Sequence, residues 1–144
     1  MIFVDTSGLL AVLDARQVRH AAAAHSWREI LAGPEGLVTT SYVLIEAVAL
    51  AQRRLGLSAV ADLEAIVVPA LQEVWVDEAL HRRGVDALLA ARRRELSLVD
   101  CVSFALMRER GITTAFAMDR HFTEQGFAVR PGPDDDPTEV HEAG

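Results

Sequence analysis

Four carboxylates sit where the sequence is most apolar. Asp5 follows "MIFV", Glu46 lies inside "YVLIEAVALA" (residues 42–51), Asp100 inside "LVDCVSFALM" (98–107), and Asp119 follows "TTAFAM" (113–118). Burying one unpaired carboxylate costs on the order of several kcal/mol unless it is neutralised or finds a cation. Each acid taken singly has a structural explanation. Asp5 can cap the helix that follows it. Asp100 closes the S-x-x-D capping box "SLVD" with Ser97. Asp119 can open a turn before "RHF". Glu46 has only Arg53 or Arg54 within reach along its own helix, two turns away. Together the four need separate excuses, whereas one shared cation explains them all. Several carboxylates without a His or Cys cluster make a hard, oxygen-rich site suited to Mg²⁺ or Mn²⁺ rather than zinc. The other acids singled out, Asp14, Glu29, Glu64, Glu95 and Glu109, keep polar company and fit solvated helix faces or ends.

The elements that must position these acids follow from the apolar pattern. Met1 to Val4 reads as a short buried strand, and a helix opened by Thr6 or Ser7 runs over Gly8 to Leu13. A second helix covers His20 to Leu31 and is closed by "GPEG" (33–36). Leu37 to Thr39 reads as a strand. Ser41 opens a helix to Leu55, stopped by Gly56, and Ser58 caps another toward Leu71. "EVWVD" (73–77) alternates like a strand, Glu78 to Arg94 is helical with an arginine-rich end, and Ser97 opens a helix to Arg110, ended by Gly111. "TTAFAM" is a further strand. Short strands alternating with helices predict an α/β fold, a short, mostly parallel sheet flanked by helices on both faces. Asp5 and Asp119 then fall at C-terminal strand ends, where open parallel sheets bind ligands. Glu46 and Asp100 lie early in helices that can start from the same edge.

The bulk numbers bound the rest. A chain of 144 residues predicts one domain, residues 1–130, and "PGPDDDP" (131–137) opens an acidic, loose tail over 131–144. Half the residues are apolar but only 6% are aromatic, so the core is expected to be aliphatic. No apolar run reaches the roughly 18 residues of a membrane span. No basic stretch precedes the first apolar residues, so no signal peptide is read there and a cytoplasmic protein is expected. The single cysteine, Cys101, excludes an internal disulfide framework and reads as a small core residue. Net charge is −7, but five of the 21 acids fall in residues 134–144. Residues 1–133 thus carry 16 acids against 14 arginines, a net of −2. There is no lysine. Arginine suits bidentate phosphate contacts, although genome composition explains an all-arginine usage equally well. The missing lysine also argues against response-regulator receivers and haloacid-dehalogenase phosphatases, which share this layout and rely on one.

Three stretches carry a resemblance: "VDTSGLLAVLD", "SYVLIEAVAL" and "LSLVDCVSFALMRERGITTAFAMDRHFTEQGF" (96–127). They resemble a PIN domain, most closely the VapC-type toxin ribonucleases of bacterial toxin–antitoxin pairs, over roughly residues 1–130. The third stretch is the most specific, since it holds two of the acids at the family's spacing with its "DRHF…GF" ending. The resemblance implies a metal-binding acidic quartet of Asp5, Glu46, Asp100 and Asp119, with Mg²⁺ or Mn²⁺ as cofactor. It implies Asp5 and Asp100 as principal ligands, Asp119 as a further ligand, and Glu46 holding a water at the ion or acting as base. Thr6 or Ser7 would orient a carboxylate or a water. It also implies an RNA substrate and a cognate antitoxin; a homodimer is expected from the aliphatic surface of the helices around residues 20–71.

Such a chain would hydrolyse RNA phosphodiesters. The competing reading is an inert PIN-like module that binds RNA or protein. Arg108, Arg120 and the Arg92–Arg94 run are candidate phosphate contacts, each more simply a solvated face. His121 reads as structural or superficial. Trp27 and Trp75 define no stacking platform. Leu31, Val43, Leu50, Leu57, Leu63 and Val67 could form a groove or dimer face, although core packing claims most of them.

Overall fold

The computed structural model describes residues 1–133 and 135. Five parallel strands, β1 Ile2–Val4, β2 Leu37–Thr40, β3 Gln72–Val74, β4 Thr114–Phe116 and β5 Ala128–Arg130, form one sheet in the order β3-β2-β1-β4-β5. Among the described residues seven α-helices connect them: α1 Thr6–Leu13, α2 His20–Ala32, α3 Ser41–Leu55, α4 Leu57–Asp62, α5 Glu78–Ala91, α6 Leu98–Arg110 and α7 Arg120–Glu124. Successive strand residues face opposite sides of a sheet. Ile2, Phe3 and Val4 are all buried, so both faces of β1 are covered, as the expected architecture requires.

The chain leaves β1 toward β2 and β3, then returns to the other side of β1 for β4 and β5. The strand order therefore reverses between β1 and β4. A crevice opens outside the C-terminal strand ends at such a reversal. Asp5 and Asp119 follow β1 and β4 at that place.

The core is mixed rather than purely aliphatic. Phe3, Phe116 and Phe122 are among its largest fully buried side chains. Phe104 meets Phe122 edge-on at 5.0 Å, and Trp27 lies 5.3 Å from Phe116. A low aromatic fraction does not disperse the aromatic residues. Of the six aliphatics expected at a groove or dimer face, Val43, Leu63 and Val67 are core, while Leu31 and Leu57 are exposed. Cys101 is buried, and burial pushes its thiol pKa up.

Several boundaries move, each for a local reason. No side chain caps α4. It widens into a π-helical turn over Leu63–Val67 and tightens to a 3₁₀ turn over Val68–Ala70, because Pro69 cannot donate a helical N–H. Strand β3 stops at Val74, and Asp77 caps α5 by accepting from the Leu80 N–H. Helix α5 ends at Ala91 with Arg92 left-handed, so the Arg92–Arg94 run is a loop. Strand β4 ends at Phe116, since the Met118 N–H turns to Ser7 Oγ. Strand β5 was not expected. Arg19 Nη2 donates to the Gly132 carbonyl at 2.7 Å, so the packed body reaches past residue 130. Apart from Asp135, the acidic stretch from residue 134 lies outside the described residues. Among the described residues, no helix is long and apolar enough to cross a membrane.

Candidate active site

The crevice at the strand reversal is a cleft of about 390 Å³, lined by Asp5, Thr6, Ser7, Glu46, Asp100 and Asp119. Chain segments more than a hundred positions apart thus bring together every residue expected at the site. Asp5 leaves β1, Asp119 leaves β4, Asp100 lies in the first turn of α6, and Glu46 in the second turn of α3.

Three of the acids that line the cleft also belong to helix caps. Asp5 is the N-cap of α1, and its Oδ2 accepts from the Ser7 N–H at 3.1 Å and the Ser7 hydroxyl at 2.6 Å. Ser7 Oγ in turn accepts from the Met118 N–H at 2.9 Å, tying α1 to the segment after β4. Asp100 closes a capping box: its N–H donates to Ser97 Oγ at 3.0 Å and its Oδ2 accepts from the Ser97 N–H at 3.3 Å. Asp119 caps α7, its Oδ1 accepting from the His121 N–H at 2.9 Å. These bonds fall on one oxygen of each carboxylate. The capping reading and the site reading are therefore compatible, because a cap needs only one oxygen. Thr6 plays a different part, donating to the Val43 carbonyl at 3.4 Å and joining α1 to α3.

The electrostatics are strained by burial. Asp5 is 3% exposed. Burial pushes its pKa from 3.8 up to about 7; the Ser7 bonds oppose this, and the Asp100 and Asp119 charges add to it. Asp100 is raised as well, first by burial, with its Ser97 bonds opposing, the Asp119 charge adding and His121 opposing. No ion pair reaches Asp5, Glu46 or Asp100 among the described residues. Buried carboxylates that repel one another and lack a partner suit a hard divalent cation. Among the described residues, however, no three His, Cys, Asp or Glu side chains stand close enough to hold one ion. Each capping bond keeps its carboxylate over its own helix. In this arrangement an ion would take fewer than three side-chain ligands, with water completing its shell.

The decisive comparison covers nearly the whole chain: residues 2–128 match the family described as PIN domain. The chain belongs to the PIN domain family. It is 38% identical over 133 residues to the 23S rRNA-specific endonuclease VapC20 of Mycobacterium tuberculosis, covering 91% of this chain and 99% of that protein. The crystal structure of VapC20, described as a sarcin-ricin loop cleaving toxin, aligns with a TM-score of 0.79 at 34% identity, covering 89% of this chain and 97% of that one. FitAcB from Neisseria gonorrhoeae shares the fold, with a TM-score of 0.61 at 18% identity over 90% of this chain and 96% of that one.

The surroundings of this PIN domain's cleft hold residues that the sequence reading placed differently. His121 takes the structural of its two expected places and is buried. Its Nδ1 lies 3.3 Å from Glu124 Oε2 and its Nε2 3.7 Å from Asp119 Oδ1. Arg93 donates to the same Glu124 oxygen at 3.1 Å, so the loop before α6 is fastened to α7. Hydrogen bonding from His121, then from Arg93, holds the Glu124 carboxyl below its ordinary pKa. Arg108 is also committed, donating to Gln125 at 2.8 Å and stacking over Phe127, and Arg120 pairs with Glu124 at 3.5 Å. Asp14 is buried rather than solvated, because Arg16 pairs with it at 3.0 Å. The basic side chain in the cleft wall is Arg54. Its signal was available: Glu46, Leu50 and Arg54 are spaced i, i+4, i+8 on one helix face.

Proposed function

We propose that this PIN domain is a divalent-metal-dependent endoribonuclease and the toxin of a type II toxin–antitoxin pair, acting in the cytoplasm. The observation that carries the reading is the cleft of four carboxylates at the strand reversal. The near full-length likeness to a protein named as a 23S rRNA-specific endonuclease supports it, and makes ribosomal RNA the first substrate to test.

Asp5 and Asp100 would hold Mg²⁺ or Mn²⁺, with Asp119 reaching the ion through water. The bound ion supplies charge relief at the phosphoryl oxygens and acidifies water at neutral pH. Glu46, on the α3 wall, accepts a proton from the attacking water. The Ser7 hydroxyl fixes the Asp5 carboxylate at 2.6 Å, so its unengaged oxygen is presented to the cleft in one orientation. Leu10 and Leu50 line the cleft and limit water around the reacting phosphate. A cognate antitoxin and a second copy of the chain would cover exposed apolar side chains such as Leu31 and Leu57.

The test is cleavage of a 23S rRNA transcript with Mg²⁺, with chelator, and by Asp5→Asn and Asp100→Asn. Cleavage that needs the ion and vanishes in both variants, with circular dichroism unchanged, is expected. Cleavage that survives chelation and both substitutions would overturn the assignment. Metal binding without cleavage would favour the inert binding module.

A further inference from the structure

We infer that the cleft extends beyond its acidic end into a nucleotide subsite in which Arg54 grips a phosphate flanking the one that is cut. This rests on the endoribonuclease reading and names how the substrate is seated. The wall of the subsite is a single helical stripe. Glu46, Leu50 and Arg54 all line the cleft, and eight residues of helix span about 12 Å along the axis. Leu10 of α1 and Gln17 of the α1–α2 loop line the same cleft. The trough therefore runs from carboxylates, past leucines that can pack on a ribose or base, to a guanidinium, with the Gln17 amide offering a donor and an acceptor.

Charge makes Arg54 the anchor. Among the described residues it is the one basic side chain lining the cleft, and it forms no ion pair there. The neighbouring Arg16 is neutralised. Its backbone N–H and Nε both reach Asp14 Oδ1 at 3.0 Å, and its Nη2 donates to the Arg54 carbonyl at 3.4 Å. That clasp pins the loop carrying Gln17 to the end of α3 through the Arg54 carbonyl and leaves the Arg54 guanidinium out of the bond. A basic residue in the last turn of α3 also suits the helix dipole, but Arg53 satisfies that equally and does not line the cleft. A planar guanidinium with a fork of donors matches a phosphate bidentately. A body of net charge −2 with an acidic cleft needs such an anchor to hold a polyanion.

The experiment compares wild type, Arg54→Ala, Arg54→Lys and, as control, Arg53→Ala on a sarcin-ricin loop RNA hairpin. Cleavage gives kcat and KM. Binding is read by fluorescence anisotropy with Mn²⁺ in a Glu46→Gln background, which leaves Asp5 and Asp100 to hold the ion, over a salt series, and Mn²⁺ binding by electron paramagnetic resonance. Arg54→Ala should raise KM about tenfold, with kcat and Mn²⁺ binding near wild type. Loss of one phosphate contact should flatten the log K against log[salt] slope by about 0.7. Arg54→Lys should keep the slope and recover only part of the affinity, and Arg53→Ala should change neither. Wild-type cleavage with KM and slope unchanged in Arg54→Ala would overturn the subsite and leave the nuclease reading standing. If nothing is cleaved, the anisotropy decides alone: the hairpin must bind more weakly to the Arg54→Ala form, and equal binding or none overturns the inference.

Discussion

Asp5 carries opposing demands in one side chain. As a cap it needs only a hydrogen-bond acceptor, which asparagine supplies about as well. As a buried carboxylate among two others it is held near pKa 7. Its folded pKa is raised, so the metal-free folded protein keeps a proton that the unfolded chain releases. The associated stability is present below about pH 4 and is lost as pH rises toward about 7. A shift from 3.8 to about 7 corresponds to about 4 kcal/mol as an upper bound. Asp5→Asn should therefore melt above wild type in chelator at about pH 8 and near it at about pH 4, and Mg²⁺ should raise the wild-type midpoint only. Thermal melts across that range, with and without the ion, check this; parallel curves for the two proteins would contradict it. A substitution that strengthens the fold while abolishing the site is the signature of a functional residue. The four acids were legible because carboxylates in apolar sequence need a reason. The fastening of His121 by Glu124 and Arg93 was not, since it joins the loop before α6 to α7 across the fold.

Elements set the spacing of the cleft, and glycine lets two of them approach. A Cβ on Gly8 would stand 2.5 Å from the Phe116 ring and 2.7 Å from the Phe116 carbonyl oxygen. Helix α1 can therefore lie against β4 only with glycine there, and that contact sets Asp5 relative to the segment carrying Asp119. Gly8→Ala should cost about 1–3 kcal/mol and reduce cleavage beyond what the lost stability explains. Gly33→Ala, whose Cβ would meet two backbone oxygens at 3.4 and 3.5 Å, should be nearly silent in both. Chemical denaturation and cleavage assays check the pair; equal behaviour of the two variants would contradict it. Sequence reading located α6 because caps are local: Ser97 and Gly111 mark its ends by their own chemistry. It gave Asp77 to a strand, where the structure makes it the cap of α5. It missed β5, where the three residues of "AVR" form a half-exposed edge strand with no alternation to read. It overran α5 because arginines favour a helix end whether or not the helix continues.

At the scale of the whole molecule, the order β3-β2-β1-β4-β5 makes the site. It places two strand ends with acids side by side and opens a crevice between the helices that leave them. Alternating strands and helices in the sequence implied a parallel sheet, and a parallel sheet implied acids at one edge. The strand order itself, which turns that edge into a cleft, is a long-range property that only the structure gives. Net charge fits the proposed reading: the cleft collects negative charge, which a divalent ion would offset before a polyanion enters. The most direct test is a crystal soaked in MnCl₂ at about pH 8, with the anomalous signal mapped. The expected result is a peak in the cleft about 2 Å from one oxygen of Asp5 and one of Asp100, absent from Asp100→Asn crystals. An empty cleft at saturating Mn²⁺, or a peak held by other side chains with Asp5 and Asp100 turned away, would contradict the proposal.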